Sequence, residues 1–310
     1  MISATDLRLT FGKGTPLENP ALRGMSLTVN QGEFVTVIGS NGAGKSTFLN
    51  ALAGEVLVDS GQIIVDNLDV TKLPTHKRAG RVARVFQDPL AGTCEGLSIE
   101  ENLALAIKRG QRRGLTSAVK KQYMEKFRDS LSSLNLGLEK RLGDKMGLLS
   151  GGQRQAVSLL MASLTPSSIL LLDEHTAALD PKTAAFVLEL TTKIIEEQKL
   201  TALMVTHSMK QALEVGSRTV MLHQGQVVFD IAGKDRDGLE VKDLLGLFET
   251  LKGSEGIHAL AIDTDGIDGS EDNAGAIISP DDWQRAKAAR LSVADYLTRN
   301  DAYTFFAALG

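Results

Sequence analysis

The pattern of apolar and polar residues predicts two kinds of strand along this chain. Apolar and polar residues alternate in "DLRLTF" and "GMSLTV", which is typical of strands with one exposed face. Continuous apolar runs, typical of strands buried on both faces, occur in "FVTVIG", "ARVFQ", "ILLLD" and "ALMVTH". Since helical segments such as "TAAFVLELTTKIIEEQ" lie between these runs, the pattern predicts a parallel sheet covered by helices.

Two further segments have the pattern of β-hairpins. They are "GQIIVDNLDV" and "RTVMLHQGQVVFD", and they predict that some antiparallel sheet is added. Between about residues 91 and 154 the strand pattern is absent, whereas "SIEENLALAI" and "SAVKKQYMEKFRDSLSSL" have helical periodicity. We therefore expect a helical subdomain, at about 91–154, inserted into an α/β core.

The composition is that of a soluble globular protein. The chain has 310 residues, a length sufficient for one large domain or two smaller ones. Of these residues, 43% are hydrophobic and 23% are charged. A single cysteine, Cys94, cannot form an internal disulfide, which is typical of a reducing compartment. No signal-peptide pattern is found, and the longest apolar runs are far too short to cross a bilayer. We expect a cytoplasmic protein that reaches a membrane only through a partner.

The charge is unevenly distributed along the chain. The formal net charge is −4, and the residues from Glu255 onward include ten acidic and four basic ones. Neither part has the strong positive bias expected of nucleic-acid binding, so we expect no nucleic-acid partner. The shift in charge coincides with "LKGSEG", which reads as a linker. The sequence thus predicts a first domain at 1–252, a linker at 253–256 and a small C-terminal extension at 257–310.

A glycine-rich segment, "GSNGAGKST", follows the buried strand "FVTVIG" and begins a helix. It fits the phosphate-loop pattern G-x-x-x-x-G-K-[ST], in which glycines let backbone N–H groups and a helix N-terminus surround phosphate oxygens. Lys45 would reach the β- and γ-phosphates, and Ser46 would bind Mg²⁺; a glycine-rich turn without a ligand is the alternative. The residues predicted to bind nucleotide here are Gly39, Ser40, Asn41, Gly42, Ala43, Gly44, Lys45, Ser46 and Thr47.

Two adjacent acids, Asp173 and Glu174, follow the buried run "ILLL". They are expected at the carboxyl end of a strand, where open α/β sheets bind ligands. Asp173 can hold Mg²⁺ through a water molecule, and Glu174 can polarise the water that attacks the γ-phosphate. Paired acids after a strand often only cap the next helix. Together with the phosphate loop, however, they indicate an ATP hydrolase that binds ATP and Mg²⁺.

The segment "LLSGGQRQ", at 148–155, resembles the signature sequence of the ATP-binding-cassette (ABC) ATPases, and the resemblance covers about residues 3–252. It implies an α/β fold with a P-loop NTPase (RecA-like) core, an antiparallel β subdomain and an inserted α-helical subdomain. In that family the signature caps the γ-phosphate held by a second subunit. The resemblance therefore implies a homodimer closing head to tail around two ATP molecules, with signature residues Ser150, Gly151, Gly152 and Gln153.

The resemblance also assigns roles to single residues. Gln87 in "FQDP" corresponds to the Q-loop glutamine, a catalytic residue and Mg²⁺ ligand, and Asp180 in "AALD" corresponds to the D-loop aspartate. His207 in "VTHS" corresponds to the switch histidine, a catalytic residue that contacts the γ-phosphate. Phe11 resembles the aromatic residue that stacks on adenine; a phenylalanine of the core or of a turn is the alternative.

One departure from the family pattern is His175, which stands where proline commonly follows the catalytic glutamate. It either adds a titratable group near the γ-phosphate or tunes the loop.

The form "DEHTAALDP" is similar to a branch of bacterial importers for amino acids and related small solutes. The leading hypothesis is thus an importer ATPase subunit, peripheral at the cytoplasmic face of the inner or plasma membrane. Its partners would be transmembrane permease subunits and, through them, a solute-binding protein. Cassette proteins that act on DNA or ribosomes are the alternative.

The C-terminal extension has a different resemblance. "DTDGIDGSEDNAGA" and "NDAYTFFAALG" are similar to the end region of type-2 glycerate kinases, the MOFRL family. A calcium loop that starts at Asp263 is disfavoured, because Ala274 occupies the position that needs a bidentate Glu. The large first domain of such kinases is absent, and we would expect their sequence to continue into a phosphate-site segment. We therefore expect a kinase fragment joined to a complete cassette, with kinase activity only as a remote alternative.

Overall fold

The structure is a computed structural model, and it describes residues 1–111, 119 and 121–246. The predicted linker at 253–256, the C-terminal extension at 257–310 and its disfavoured calcium loop lie outside the described residues.

The described residues form ten strands and seven α-helices, and residues 241–246 are also helical. The strands are β1 Ile2–Phe11, β2 Asn19–Val29, β3 Phe34–Gly39, β4 Ser60–Val65, β5 Leu68–Asp69, β6 Val82–Val85, β7 Ile169–Asp173, β8 Ala202–Val205, β9 Arg218–His223 and β10 Gln226–Ala232. The helices are α1 Lys45–Ala53, α2 Thr75–Arg78, α3 Ile99–Ala106, α4 Lys121–Ser132, α5 Gly151–Ser163, α6 Pro181–Gln198 and α7 Met209–Glu214. Short 3₁₀ segments occur at Leu138–Lys140, Met146–Leu148 and Gly233–Asp235.

The central sheet has six strands in the order β10-β9-β3-β8-β7-β6. Neighbouring strands from β9 to β6 are parallel, and β10 pairs antiparallel with β9. Strands β3, β7 and β8 are almost entirely buried, which is why they read as continuous apolar runs. The prediction of a parallel sheet with an added hairpin is confirmed. The run "ARVFQ" forms a shorter strand than expected, since β6 ends at Val85.

A second sheet is antiparallel, in the order β2-β1-β4-β5, as the alternating segments and the first hairpin predicted. Its buried face packs with α1 against one face of the central sheet, around side chains such as Leu7, Met25 and Phe48. The opposite face of the central sheet is covered by α3, α4, α5 and α6, which enclose Phe127 and Leu159. The core therefore lies in two layers on either side of the central sheet.

The helical region lies between β6 and β7, where the sequence places it. Helix α3 begins after Ser98, whose side chain accepts from the Glu101 N–H while the Glu101 carboxylate accepts from the Ser98 N–H. Helix α5 ends at Ser163, and its buried face packs on α6 and β6.

The parallel register brings the loops of the candidate site to one edge of the sheet. Asp173 of β7 is level with Val205 of β8, and Val205 is level with Val37 of β3. The phosphate loop, the segment after β7 and the segment after β8 therefore all begin at the carboxyl edge of this sheet.

Candidate active site

The phosphate loop connects β3 to α1, and at each of its two ends the backbone adopts a conformation that only glycine can accommodate. Gly39 and Gly44 have φ angles of 152° and 94°. A Cβ on Gly39 would lie 2.3 Å from the Leu222 carbonyl oxygen, and one on Gly44 would lie 2.7 Å from the Ala21 carbonyl oxygen. The loop thus passes tightly between β9 and β2. In the described part of the chain, no side chain caps the N-terminus of α1, so its first N–H groups are available to an anion.

Lys45 places its ammonium group over the loop. Its Nζ donates to the carbonyl oxygens of Gly39 at 2.8 Å and Ser40 at 2.9 Å, and the residue is only 5% exposed. Burial lowers the pKa of Lys45, while the charges of Glu174 and Asp173 act in the opposite direction. The cation is therefore held beside both predicted acids.

Glu174 and His207 form a pair that joins the segments after β7 and β8. The Glu174 Oε1 lies 2.6 Å from the His207 Nε2, and the Glu174 side chain is 10% exposed. Glu174 has a φ of 45°, in the left-handed region that non-glycine residues rarely adopt, and its N–H donates to the Val205 carbonyl at 3.0 Å. This backbone conformation is one that structures retain mainly where surrounding contacts hold a side chain in place.

Two cavities adjoin the phosphate loop. One of about 230 Å³ is lined by residues 41–47 together with Phe11, Glu174 and His207. The other, of about 640 Å³, is lined by loop residues that include Gly39 and Ser40, and again by His207. The structure thus brings together predicted residues from four segments of the chain. Asn19 and Ala21 of β2, which the sequence did not single out, also line the smaller cavity.

Asp173 is held by an arginine that the sequence analysis missed. The Arg84 Nη2 lies 2.5 Å from the Asp173 Oδ2, and the Arg84 Nη1 lies 2.8 Å both from the Glu55 Oε1 and from the Asn50 Oδ1. The signal in the sequence was a charged residue inside the apolar run "VARVF".

The predicted magnesium ligands could hold the ion only when a bound nucleotide supplies further oxygen ligands. The donors are the Asp173 carboxylate, the Ser46 hydroxyl and the Gln87 amide oxygen. Among the described residues, no group of three or more His, Cys, Asp or Glu could hold a metal ion by itself. Mg²⁺ commonly uses one or two carboxylates and completes its coordination with waters and phosphates, so the donor set is suitable. Gln87 is exposed after β6 and does not line either cavity beside the phosphate loop.

The signature segment lies at the N-terminus of α5 and not in the cavities of its own phosphate loop. The Ser150 hydroxyl accepts from the Gln153 N–H at 3.3 Å, and the Gln153 side chain accepts from the Ser150 N–H at 3.2 Å. Ser150 and Gly151 are exposed, whereas Gly152 is buried against α6. A Cβ on Gly152 would lie 2.1 Å from the Thr183 Cγ2, so this glycine also allows α5 and α6 to approach closely.

Asp180 begins α6 and is exposed. Its carboxylate accepts from the Thr183 N–H at 3.1 Å, and hydrogen bonds from Thr183 lower the pKa of Asp180. This residue therefore has a capping function in the single chain, beside the D-loop role that the resemblance implies.

His175 is turned into the protein interior. Its Nε2 lies 2.9 Å from the Thr191 hydroxyl, which itself donates to the Val187 carbonyl at 2.7 Å, so the Nε2 is the donor to Thr191. Burial lowers the pKa of His175 to about 4. The imidazole is therefore neutral near pH 7, and of the two interpretations of this residue the structure favours the one in which it tunes the loop.

The sequence profile of the ABC transporter family matches residues 22–177, and that of the MOFRL family matches residues 219–310. The second match begins within β9, so it includes two strands of the central sheet. In the described part of the chain, no helix has the length and apolar character needed to cross a membrane.

The similarity to known proteins extends over most of the chain. This chain is 44% identical over 249 residues to the tyrosine transport ATP-binding protein of Clostridioides difficile (strain R20291), and the match covers 80% of this chain and 99% of that protein. The chain is also 34% identical over 204 residues to the thiamine import ATP-binding protein ThiQ of Escherichia coli (strain K12). That match covers 66% of this chain and 83% of ThiQ. Among solved structures, the chain matches the dimeric structure of an ATP-binding cassette in a post-hydrolysis state, bound to ADP and Pi, with a TM-score of 0.64 and 29% sequence identity. This match covers 75% of this chain and 98% of the chain in that structure. The chain therefore belongs to the ABC transporter family and is an ATP-hydrolysing cassette that serves transport.

Proposed function

We propose that this chain is the ATPase subunit of a bacterial importer, in which two copies close head to tail around two ATP molecules. The observation that carries the proposal is the cleft in which the phosphate loop faces the Glu174–His207 pair. This cleft holds the groups for binding and hydrolysis of a nucleotide, and it lacks the signature segment of its own chain.

Binding of the nucleotide is assigned to the loop and to β1. Backbone N–H groups of residues 39–47 and the N-terminus of α1 surround the phosphates, with the Lys45 ammonium at the β- and γ-phosphates. Phe11, which is 42% exposed at the end of β1 and lines the cleft, is positioned to stack on the adenine. Ser46, Asp173 and Gln87 would hold Mg²⁺, which neutralises phosphate charge when it is bound.

Hydrolysis is assigned to Glu174, with His207 as its partner. The carboxylate polarises the water that attacks the γ-phosphate, and the contact with His207 keeps one of its oxygens oriented at the cleft. His207 is 47% exposed and can also contact the γ-phosphate directly. The unusual φ angle of Glu174 supports this role, because a strained backbone is expected where a side chain must be held in place.

The second copy supplies the signature segment. Ser150, Gly151, Gly152 and Gln153 lie at the N-terminus of a helix of 13 residues, where Ser150 and Gly151 are exposed, which suits the binding of a γ-phosphate held by the partner. Leu148, directly before this segment, is 70% exposed in the single chain and would be covered in the dimer. Asp180 lies at the adjoining start of α6 and is assigned to the same interface.

A groove suited to a membrane partner lies elsewhere on the surface. It has a volume of about 780 Å³, and its lining includes Phe86, Leu105 and Met161 with Lys77 and Lys108. Among the described residues, it shares none with the nucleotide cleft. We assign it to a segment of the permease, which would hold the chain at the inner face of the membrane and connect it to a solute-binding protein. The proposed solute is an amino acid or a related small molecule, as the 44% identity to a tyrosine transport protein supports.

The domain limits are part of the proposal. We assign residues 1–252 to the cassette, with its helical subdomain at about 91–154, residues 253–256 to a linker and residues 257–310 to an extension of MOFRL type. Every residue assigned to ATP chemistry lies before 252, so the proposed function rests on the cassette alone.

The proposal is tested by Glu174→Gln. This variant keeps the phosphate loop and loses the group that activates water, so we expect it to bind Mg-ATP and to hydrolyse it at least about a hundredfold more slowly. With hydrolysis slowed, the ATP-bound dimer should accumulate and elute early in size-exclusion chromatography. Glu189→Gln, which changes an exposed acid of α6, is the matched control and should behave as wild type. A Glu174→Gln variant that stays monomeric with Mg-ATP or hydrolyses normally contradicts the proposal.

A further inference from the structure

Arg84 lies in β6 on the face that turns toward α1. Val82, two residues earlier, belongs to the cluster around α1, and side chains two residues apart share one face of a strand. Arg84 is paired in register with Leu171 of β7, so Asp173 is its diagonal neighbour on the same face. Long side chains can bridge such diagonal positions. The sheet register itself therefore brings the guanidinium to the Asp173 carboxylate.

The contacts of Arg84 are those of a group that orients a carboxylate. Its Nη2 donates to one Asp173 oxygen at 2.5 Å, while its Nη1 donates to Glu55 and Asn50 at 2.8 Å each. Its guanidinium also stacks 4.7 Å from the centre of the Phe86 ring. The side chains of Arg84 and Asp173 are only 10% and 13% exposed, so solvent screens their attraction weakly. Because the arginine is itself fixed from three sides, the Asp173 carboxylate has little freedom to rotate.

We propose that Arg84 is a positioning residue of the magnesium site, which fixes the Asp173 carboxylate in the orientation that metal binding requires. The inference rests on the proposed role of Asp173 in holding Mg²⁺. Groups that orient a metal-binding carboxylate contribute to metal affinity without touching the metal. The effect of removing Arg84 should therefore appear in the Mg²⁺ dependence of nucleotide binding, and not in the binding of nucleotide without metal.

The test measures binding of a fluorescent ATP analogue to the full chain as Mg²⁺ is titrated, and again in EDTA. For Arg84→Met we expect the Mg²⁺ midpoint to rise about tenfold. Affinity in EDTA should stay within about twofold, because the phosphate loop is unchanged. Arg84→Lys should be intermediate, since an ammonium keeps the charge but not the planar fork that reaches Asp173, Glu55 and Asn50 together. If Arg84→Met does not fold, Arg84→Lys decides, and a wild-type Mg²⁺ midpoint for it overturns the inference.

A matched control separates positioning from general stability. Arg109 is also a largely buried arginine, but it donates to the backbone carbonyls of Ala162 and Thr165. Arg109→Met should lower the melting temperature and leave the Mg²⁺ midpoint within about twofold, because the partners of Arg109 among the described residues are backbone carbonyls. An equal rise of the midpoint in Arg109→Met overturns the inference, as does a wild-type midpoint in Arg84→Met.

Asp173→Asn distinguishes failure of this inference from failure of the proposed metal site. If Asp173→Asn raises the Mg²⁺ midpoint and the Arg84 variants do not, the metal site stands and the positioning role of Arg84 is wrong. If Asp173→Asn leaves the midpoint unchanged, both the metal role of Asp173 and the inference are wrong.

Discussion

At the scale of the residue, glycine at position 152 has two possible causes, phosphate binding and helix packing, and the signature sequence alone does not distinguish them. Gly152 belongs to the helix start that we assign to the partner's phosphate, and it is also buried where a Cβ would be 2.1 Å from the Thr183 Cγ2. We expect Gly152→Ala to lower the free energy of unfolding by about 1–3 kcal/mol through overpacking. Thermal or chemical unfolding measures this loss.

Two further variants isolate the cause. Thr183→Ser removes the methyl group that Gly152→Ala would meet, so the double variant should recover most of the lost stability. Gly151→Ala places its Cβ 3.5 Å from the Leu179 Cδ2, an ordinary contact, and should be nearly neutral for stability. A Gly152→Ala variant as stable as wild type would show that α5 and α6 do not pack as closely as described.

His175 gives a pH dependence with a defined sign. Its pKa falls from about 6.5 in the unfolded chain to about 4 in the folded one, so the unfolded state binds the proton first. The stability contributed by the neutral imidazole is complete above pH 6.5 and is lost as the pH falls toward 4. Between pH 7 and pH 5 we expect this residue alone to cost about 2 kcal/mol. Urea unfolding at both pH values should show a correspondingly smaller loss in His175→Met, and equal losses in both proteins would contradict the assignment.

The residues of the site were predictable to different degrees. The phosphate loop, Asp173 and Glu174 were predicted from local sequence, because their strand, loop and helix are consecutive in the chain and their chemistry needs particular residue types. Arg84 was not predicted, since its contacts depend on how β6, β7 and α1 pack together. For the same reason, the sequence left open whether His175 faces the nucleotide or the interior.

At the scale of the element, α6 begins at Asp180, a capping residue for which we also propose a role in the shared site. The Asp180 carboxylate accepts from the Thr183 N–H at the helix start. Asn caps helices about as well as Asp, whereas Ala does not. We therefore expect Asp180→Asn to keep the melting temperature and Asp180→Ala to lower it. If Asp180 also contributes its charge to the shared site, ATP turnover should fall in both variants; a fall in Asp180→Ala alone would leave only the capping role.

The buried strands were predictable from local sequence, whereas the limits of the helical region remain a prediction. Buried parallel strands have an unmistakable apolar composition, and β3 and β7 match the predicted runs residue for residue. The packing of α5 on α6 and β6 is not revealed by periodicity within the segment. The domain limits at 252 and 257 remain predictions.

At the scale of the whole molecule, the extension should be dispensable for ATP chemistry. Ending the chain at Gly253 should leave ATP binding and turnover within about twofold of wild type, because all assigned site residues precede that point. Ending it at Ser217, just before the MOFRL match begins, should prevent folding. That cut removes β9, which pairs with β3 directly beside the phosphate loop. A large loss of turnover in the chain ending at Gly253 would show that the extension takes part in the cassette.

The central claim is that each ATP site is built from two chains, and mixing two inactive variants tests it most directly. Glu174→Gln keeps an intact signature segment, and Ser150→Arg keeps an intact Glu174, so a mixed dimer contains one complete site. We expect each variant alone to be nearly inactive and an equal mixture to regain about a quarter of wild-type ATP turnover, since half of randomly formed dimers are mixed and hold one working site of two. Full activity of Ser150→Arg alone, or a mixture as inactive as its components, would contradict the account.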